Sequence, residues 1–409
     1  MEKFIASLQR QKQFPLRSQG SSMLPILHPN DVVQYKKVNF KQLHTNDIIL
    51  VKKNRRLFTH RIIYMTDKYL VTKGDNNPES DGKIYSHQII GKVTKVKRGG
   101  KEFDPNQVYL LQSSLYFQEI IRIKSLLEKS GKIDFVFLKG LPLHLYFEKT
   151  HPKRIYADCD VLVDKKDFFK AEQILLKNGY KKAENHWSQT IKKMQERIIE
   201  ETYYKELNEF LVVFDIHLEV DLLIVHLGKL EALYPQKLID QLSGEFLKTK
   251  KVVKINGESF FILYSKFLIL YLSLHFFHHN FLGVFRLDFL DKVIKKSHLK
   301  GKDWLEIAEK INQYKLLNFV SPVFLLLKKY YLTPIPDFIN FKNFTNFKNL
   351  NIFDDEPRIG AGIKRFKNIF FLSPYPWWRK IFVFTNLEVI YTIIWIVFKR
   401  LSSFFSGRQ

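Results

Sequence analysis

The sequence predicts a multidomain chain: a small all-β region, then an α/β (α+β) region, then a helical carboxy-terminal part. Three observations support this. From Val32 to Val96, short β-branched runs are separated by Asn, Asp and Gly; from Phe135 to Val220, strand-like runs alternate with helical periodicity; beyond Phe260, apolar residues recur at helical spacing. At 409 residues the chain can hold two or three domains, each with its own core. The expected boundaries are 1–104, 105–360 and a basic, aromatic tail at 361–409.

In chain order, residues 1–12 place Phe4, Ile5 and Leu8 on one face of a short amphipathic helix. Strand runs follow at Asp47 to Val51, Phe58 to Ile63 and Ile89 to Val96, and Arg98-Gly99-Gly100-Lys101 ends the β region. A helix is expected over Val108 to Leu127 with Gly131 as its stop. Then come strand Phe135 to Leu138, a helix around Leu143 to Phe147, strand Ala157 to Val163, and helix Phe168 to Leu176 ending near Gly179. Lys182 to Lys205 reads as a solvated helix and Phe210 to Val220 as strand. Helices are expected at Phe261 to Phe277 and from Trp304 to Leu332. Ile381 to Phe398 is apolar but interrupted by Asn386 and Glu388, which favours a helix packed on the protein or lying in a membrane interface over one that crosses it.

Hydrophobic content of 45% and aromatic content of 15% exclude wholesale disorder. A net charge of +25 and a pI near 9.7 predict attraction to anions, whether nucleotides, nucleic acid or an acidic membrane surface. No arginine-rich run or zinc-finger spacing supports specific nucleic-acid reading. The single cysteine, Cys159, forbids an intrachain disulfide, and Met1 to Arg17 holds no continuous apolar run. The expected location is therefore cytoplasmic, with peripheral membrane contact through the carboxy-terminal segment as an extension.

Ser22, His60 and Asp81 supply the three residue types that activate a hydroxyl nucleophile: the hydroxyl, a base, and a group that orients the base. Their flanks are Gly20-Ser21-Ser22-Met23-Leu24-Pro25, Asn30-Asp31-Val32-Val33, Asn46-Asp47-Ile48-Ile49, His60-Arg61-Ile62 and Thr72-Lys73-Gly74-Asp75-Asn76-Asn77. In combination these resemble the boxes of the signal peptidase family over residues 18–97, in the archaeal and endoplasmic-reticulum type that uses histidine as base. The resemblance implies Ser22 as nucleophile, His60 as general base and Asp81 as its orienter, with Asp75 as the alternative orienter. The backbone N–H of Ser22 is a candidate oxyanion donor. The sequence departs from the family in having Asn30 and Asn46 where glycines are usual, and in lacking an amino-terminal membrane helix. Taken singly, Ser22 also reads as a turn residue, His60 as a packed side chain and Asp75 as a hairpin residue.

On a strand, side chains at i and i+2 share a face, so Asp158 and Asp160 present two carboxylates side by side, which suits Mg²⁺ shared with substrate phosphates. Asp215, on another expected strand, offers a third carboxylate for a two-metal arrangement. With Leu138-Lys139-Gly140, Arg154, Asp158-Cys159-Asp160-Val161-Leu162-Val163, Gly179-Tyr180 and Asp215-Ile216-His217, the stretch 108–330 resembles a bacterial nucleotidyltransferase family of the DNA polymerase β-like superfamily. The resemblance implies an NTP substrate and places Lys139, Gly140 and Arg154 at the nucleotide. Lys139-Gly140 departs from the usual Gly-Gly or Gly-Ser loop. His275, His278 and His279 read as packing or substrate contacts rather than zinc ligands, since no cysteine accompanies them.

The expected function is thus bifunctional: a serine endopeptidase acting on a peptide or protein, and a Mg²⁺-dependent nucleotidyltransferase acting on an unknown acceptor. Two other readings stay open: a peptide- and nucleotide-binding protein with degenerate sites, and a peptidase whose second half is a scaffold.

Overall fold

Two sheets, each flanked by its own core, are joined by one 25-residue helix. The computed structural model describes residues 7–8, 10–130, 133–156, 158–183, 199–208, 210–220, 231–337, 350–355 and 361–385. The amino-terminal helix expected over 1–12 lies mostly outside these residues, although Leu8 is buried in the first core.

The first sheet is antiparallel throughout. It comprises β1 (Gln13–Arg17), β2 (Val32–Lys36), β3 (Ile48–Lys53), β4 (Arg56–Met65), β5 (Leu70–Lys73), β6 (Lys83–Ile84), β7 (Ile89–Arg98) and β8 (Lys101–Phe103). The order is β1-β2-β7-β3-β4-β5-β6, with β8 on β7. The unbroken apolar run Ile48 to Val51 makes sense at the centre of this sheet, because both faces are covered. Ile48 and Leu50 join Phe14, Val33 and Val96 on one side, while Ile49 and Val51 join Ile62, Leu70 and Ile84 on the other.

Asn30 and Asn46 have φ of 72° and 77°, the left-handed region that only Gly, Asn and Asp enter at small cost. Asparagine therefore serves at these two turns without the strain that most side chains would meet there. Each precedes an aspartate that caps its turn: Asp31 accepts from the His28 N–H at 2.8 Å, and Asp47 from the His44 N–H at 2.9 Å.

Helix α1 (Pro105–Lys129) is capped by Asp104, whose carboxylate accepts from the Asn106 N–H at 2.8 Å, and starts with proline at its first position. At 1.5 Å per residue it is about 37 Å long, enough to reach both cores. Tyr109 packs in the first core, and Tyr116, Ile120, Ile123 and Leu127 pack in the second.

The second sheet is mixed. It comprises β9 (Phe135–Phe137), β10 (Cys159–Val163), β11 (Lys181–Lys182), β12 (Glu200–Leu207), β13 (Phe210–His217), β14 (Lys250–Ile255) and β15 (Glu258–Leu263), in the order β11-β12-β13-β10-β9-β15-β14. Around it lie α2 (Leu141–Glu148), α3 (Phe168–Lys177), α4 (Gln236–Lys248), α5 (Ser265–His278), α6 (Val284–Lys296), α7 (Gly301–Gln313) and α8 (Leu317–Tyr331). The tail adds α9 (Ala361–Leu372) and the short α10 (Trp377–Ile381).

Three expectations need correction. Glu200 to Lys205 is strand, not solvated helix: Glu201 and Tyr203 point inward while β12 pairs with β13 along its length. Residues 184–198 of that stretch lie outside the described residues. Phe261 to Leu263 is strand, and the helix begins only at Ser265, because Asn256-Gly257, with φ of 50° and 88°, turns β14 back onto β15. The strand expected from Ala157 begins at Cys159.

Of the apolar stretch at 381–398, only the first five residues are described. Among the described residues no helix is long and apolar enough to cross a membrane. The two halves of the chain meet where the Tyr64 ring packs against Tyr330, Tyr331 and Phe353 and its hydroxyl donates to the Tyr330 carbonyl at 3.1 Å.

The left-handed asparagines give a direct test. Asn46→Ala is expected to lower stability by about 1 kcal/mol, whereas Asn46→Gly stays close to wild type. The shift in the urea midpoint of the β region reads the difference.

Candidate functional site

Ser22 lies in the loop after β1, His60 on β4 and Asp81 just before β6. The fold brings them into one chain of hydrogen bonds. His60 Nδ1 lies 2.7 Å from Asp81 Oδ2, and its Nε2 lies 3.0 Å from Ser22 Oγ. A carboxylate only accepts, so Nδ1 carries the proton and Nε2 is left to accept from the serine hydroxyl. Phe58, 4.9 Å from the imidazole between ring centroids, covers one side, and His60 is only 6% exposed.

The box from Thr72 to Asn77 braces both ends of this chain. Thr72 Oγ1 donates to Asp81 Oδ2 at 2.7 Å, and the Asp81 N–H returns a bond to the Thr72 carbonyl at 2.8 Å. The Asn76 N–H donates to the Ser22 carbonyl at 2.8 Å, and a Cβ on Gly74 would collide with that same carbonyl at 2.6 Å. Glycine is therefore required for the loop to close on the serine.

Asp75 does not take the role expected of it as alternative orienter. It binds the Arg61 guanidinium through both oxygens, with Nε to Oδ1 at 2.7 Å, and Arg61 stacks over Tyr109 at 4.8 Å. The planar fork of Arg61, the residue after His60 on β4, points to the opposite face from the imidazole and takes Asp75 with it.

The second cluster depends on register. β10 and β13 run parallel with Asp160 paired to Asp215, and Asp158 sits two residues earlier, so single oxygens of all three carboxylates lie within 4.8 Å of one another. Asp160 is 2% exposed. Burial and the charge of Asp160 push the Asp215 carboxyl up to about 6. Burial works against the charged form of Asp160 too, but Lys139 outweighs it and holds that carboxyl well below the usual range.

Lys139 pairs with Asp158 and lies 3.0 Å from Asp160 Oδ1. Its own burial is overcome by Asp158 and Asp160, which keep it protonated. Gly140, with φ of 102°, abuts β10: a Cβ would come within 3.0 Å of the Asp158 carbonyl and 3.1 Å of Cys159 Cα. Its smallness lets Lys139 approach the acids. Arg154 makes no ion pair with the three acids among the described residues. It is stacked between Tyr156 at 4.0 Å and Phe285 at 4.6 Å.

Four further side chains complete these sites. Thr72 belongs to a recognisable box. His217 Nε2, 3.2 Å from Asp160 Oδ2, follows Asp215 by two residues, so its position was readable from strand alternation. Thr202, donating to Asp215 Oδ1 at 2.6 Å, was hidden by the expected helix there. Tyr271, donating to Asp160 Oδ2 at 3.2 Å from helix α5, left no local signal.

Asp160 Oδ1 is buried, with the Lys139 ammonium 3.0 Å away. An oxygen of that kind, in a set of three hard anionic donors, fits a divalent cation of the Mg²⁺ type.

The model of a family described as an uncharacterised nucleotidyltransferase matches residues 106–331. The chain belongs to that family. The match spans α1 through the end of α8, and so includes the three acids, Lys139 and the mixed sheet, but begins after the Ser22–His60–Asp81 chain. No curated protein and no solved structure matches the chain.

A proton competing at Asp215 makes metal affinity fall as the pH drops. Mn²⁺ titrated calorimetrically into the apo protein is expected to bind at pH 7.5 and to weaken about tenfold per pH unit below about 6. Asp160→Asn is expected to abolish the binding at both ends of the range.

Proposed function

We propose that the chain carries two activities: a serine endopeptidase of the signal peptidase type in residues 1–104, and transfer of a nucleotidyl group from an NTP to an acceptor by the family domain. The observation that carries the first is the unbroken Ser22–His60–Asp81 chain. The observation that carries the second is the crowding of Asp158, Asp160 and Asp215 in a domain of the nucleotidyltransferase family.

In the peptidase, Ser22 Oγ attacks the scissile carbonyl carbon while His60 Nε2 takes its proton and then delivers it to the departing amine. Water hydrolyses the acyl-serine with the same base. Asp81, held by Thr72, keeps the proton on Nδ1 and stabilises the imidazolium as it forms. The Ser22 N–H is the oxyanion donor in this reading. In the transferase, an acceptor hydroxyl releases its proton to solvent as its oxygen attacks the α-phosphorus, and the bond to the β-phosphate breaks so that pyrophosphate leaves. The three acids would hold Mg²⁺, which would supply a Lewis acid to the phosphate and offset charge on the leaving group. Asp215, raised to about 6, is deprotonated at neutral pH and able to take part. Lys139 supplies a cation beside the reacting phosphate.

A peripheral membrane contact is part of the same proposal. It is supported by the exposed Trp377, Trp378, Ile381 and Phe382 beside Arg379 and Lys380, since tryptophan favours the membrane interface and lysine and arginine favour anionic headgroups.

Two experiments test the two activities separately. A quenched-peptide library is expected to be cleaved by the wild type, with Ser22→Ala and His60→Ala each reducing kcat about 10³-fold or more while Asp158→Asn/Asp160→Asn leaves cleavage unchanged. Calorimetric titration of each NTP with Mg²⁺ is expected to show binding that the double aspartate variant loses and Ser22→Ala keeps. A library left intact by the wild type sinks the peptidase reading, and four NTPs without heat of binding sink the transferase reading.

A further inference from the structure

The acid of the serine site sits near the end of an irregular loop. Between β5 and β6, residues Gly74 to Gly82 form no strand, so their backbone polar groups take partners from outside a ladder. Asp81 itself is tied back to the Thr72 carbonyl on β5, and Lys53 of β3 donates to the Asp81 carbonyl. The stretch just before it, Pro78 to Ser80, is held from the other half of the chain, by residues that include Asp354, 274 positions beyond Ser80.

Asp354 Oδ1 accepts from both the N–H and the Oγ of Ser80, at 2.9 and 2.8 Å. Two donors of one residue on a single carboxylate oxygen are charge-assisted bonds, stronger than neutral ones. The N–H of Asp355 donates to the Pro78 carbonyl at 2.8 Å, and its carboxylate pairs with Lys73. Lys73 ends β5 and follows Thr72, whose hydroxyl donates to Asp81 Oδ2. Asp354 and Asp355 therefore grip both the loop and the strand that set the Asp81 carboxylate.

The clamp is itself built into the second half. Ile352 is fully buried in the second core, and the Phe353 ring packs on Tyr330 at 5.7 Å. The Asp354 carbonyl accepts from the Gly283 N–H at 2.9 Å, and its Oδ2 accepts from Asn351 Nδ2 at 2.7 Å. Both carboxylate oxygens of Asp354 are thus engaged, one across the boundary between the halves and one within its own segment.

We infer that Asp354 is a positioning residue of the serine site, supplied by the other half of the chain. It acts through Ser80: by holding the residue before Asp81 it fixes that carboxylate against His60 Nδ1, which leaves Nε2 to accept the Ser22 proton. The inference rests on the peptidase reading for its catalytic consequence, while the geometry it concerns is independent of what is cleaved. It adds to that reading that residues 1–104 hold an incomplete site, which the segment 351–355 completes.

The test is made on the full chain with Asp354→Ala and Asp354→Asn. Heteronuclear NMR of the His60 imidazole nitrogens, at about pH 8.5 where an ordinary imidazole is neutral, reports which of them carries the proton. The wild type is expected to show the Nδ1–H form and Asp354→Ala to shift toward the Nε2–H form. Asp354→Asn, which keeps an acceptor oxygen but no charge, should stay with the wild type. On a peptide cleaved by the wild type, Asp354→Ala should lower kcat by about 10-fold or more with KM unchanged, and Asp354→Asn should recover it. Ser80→Ala, which removes one of the two donors, should move both readings the same way by less, and it carries the test if Asp354→Ala does not fold. Tyr64→Phe, which loses a hydrogen bond between the same halves but none to the loop, should leave both readings unchanged. A wild-type tautomer and kcat in folded Asp354→Ala overturn the inference, as does an equal loss in Tyr64→Phe or a wild type without the Nδ1–H form. A wild type that cleaves no peptide while its tautomer still depends on Asp354 keeps the positioning role and removes the peptidase reading. Cleavage that is indifferent to Asp354 does the reverse.

Discussion

Three carboxylates held within 4.8 Å of one another repel strongly, and much of the second half of the molecule follows from that repulsion. The parallel pairing of β10 with β13 forces Asp160 beside Asp215, so neither can move away without breaking the sheet. Neighbours offset the cost in different ways. Lys139 supplies charge, Thr202 and Tyr271 supply hydrogen bonds, and Asp215 is the carboxyl whose ionisation is postponed to about 6. Lys139 can approach only because Gly140 carries no side chain to meet β10. A glycine and a lysine that read as a phosphate loop in sequence thus have a second role in the fold, which is to complete the acid cluster.

The Ser22–His60–Asp81 chain obeys a related constraint with a different outcome. Here one carboxylate meets one imidazole and one hydroxyl, and each polar atom finds a partner in sequence: threonine to aspartate, aspartate to histidine, histidine to serine. The arrangement is held from outside by Gly74 and Asn76 at the serine. It is also held from the other half of the protein. Asp354 accepts from the N–H and Oγ of Ser80 at 2.9 and 2.8 Å, and the Asp355 N–H donates to the Pro78 carbonyl at 2.8 Å. The Asp354 carbonyl itself accepts from the N–H of Gly283, the residue before α6, at 2.9 Å. One short segment, Asn351 to Asp355, therefore touches both the loop that carries Asp81 and the start of α6.

Much of the site was legible from local pattern. Ser22, His60 and Asp81 each sit in a box of small, polar and β-branched residues that marks a turn beside a strand. Asp158, Asp160 and Asp215 stand out because strand alternation puts charges on a face that should be apolar. What misled the reading was short-range ambiguity. Glu200 to Lys205 is charged enough to pass for a solvated helix, yet Tyr203 and Glu201 alternate inward, and pairing with β13 decides the matter. Asn256-Gly257 was a visible hairpin signal that the helical periodicity beyond Phe260 masked. Asp75 and Asp81 were equivalent candidates by residue type, and only the facing direction of Arg61 on β4 separates them.

The amino-acid sequence by itself determined the order of the regions, the residue types available for chemistry, and the strand and turn positions that carry them, because those depend on spacing over a few residues. The tertiary structure alone decided which acid faces His60, that Lys139 stands among the carboxylates, and that Tyr271 and His275 lie beyond them. These contacts join residues tens to more than a hundred positions apart. Their geometry comes from sheet register and from the docking of α5, α6 and α9, which no local pattern encodes.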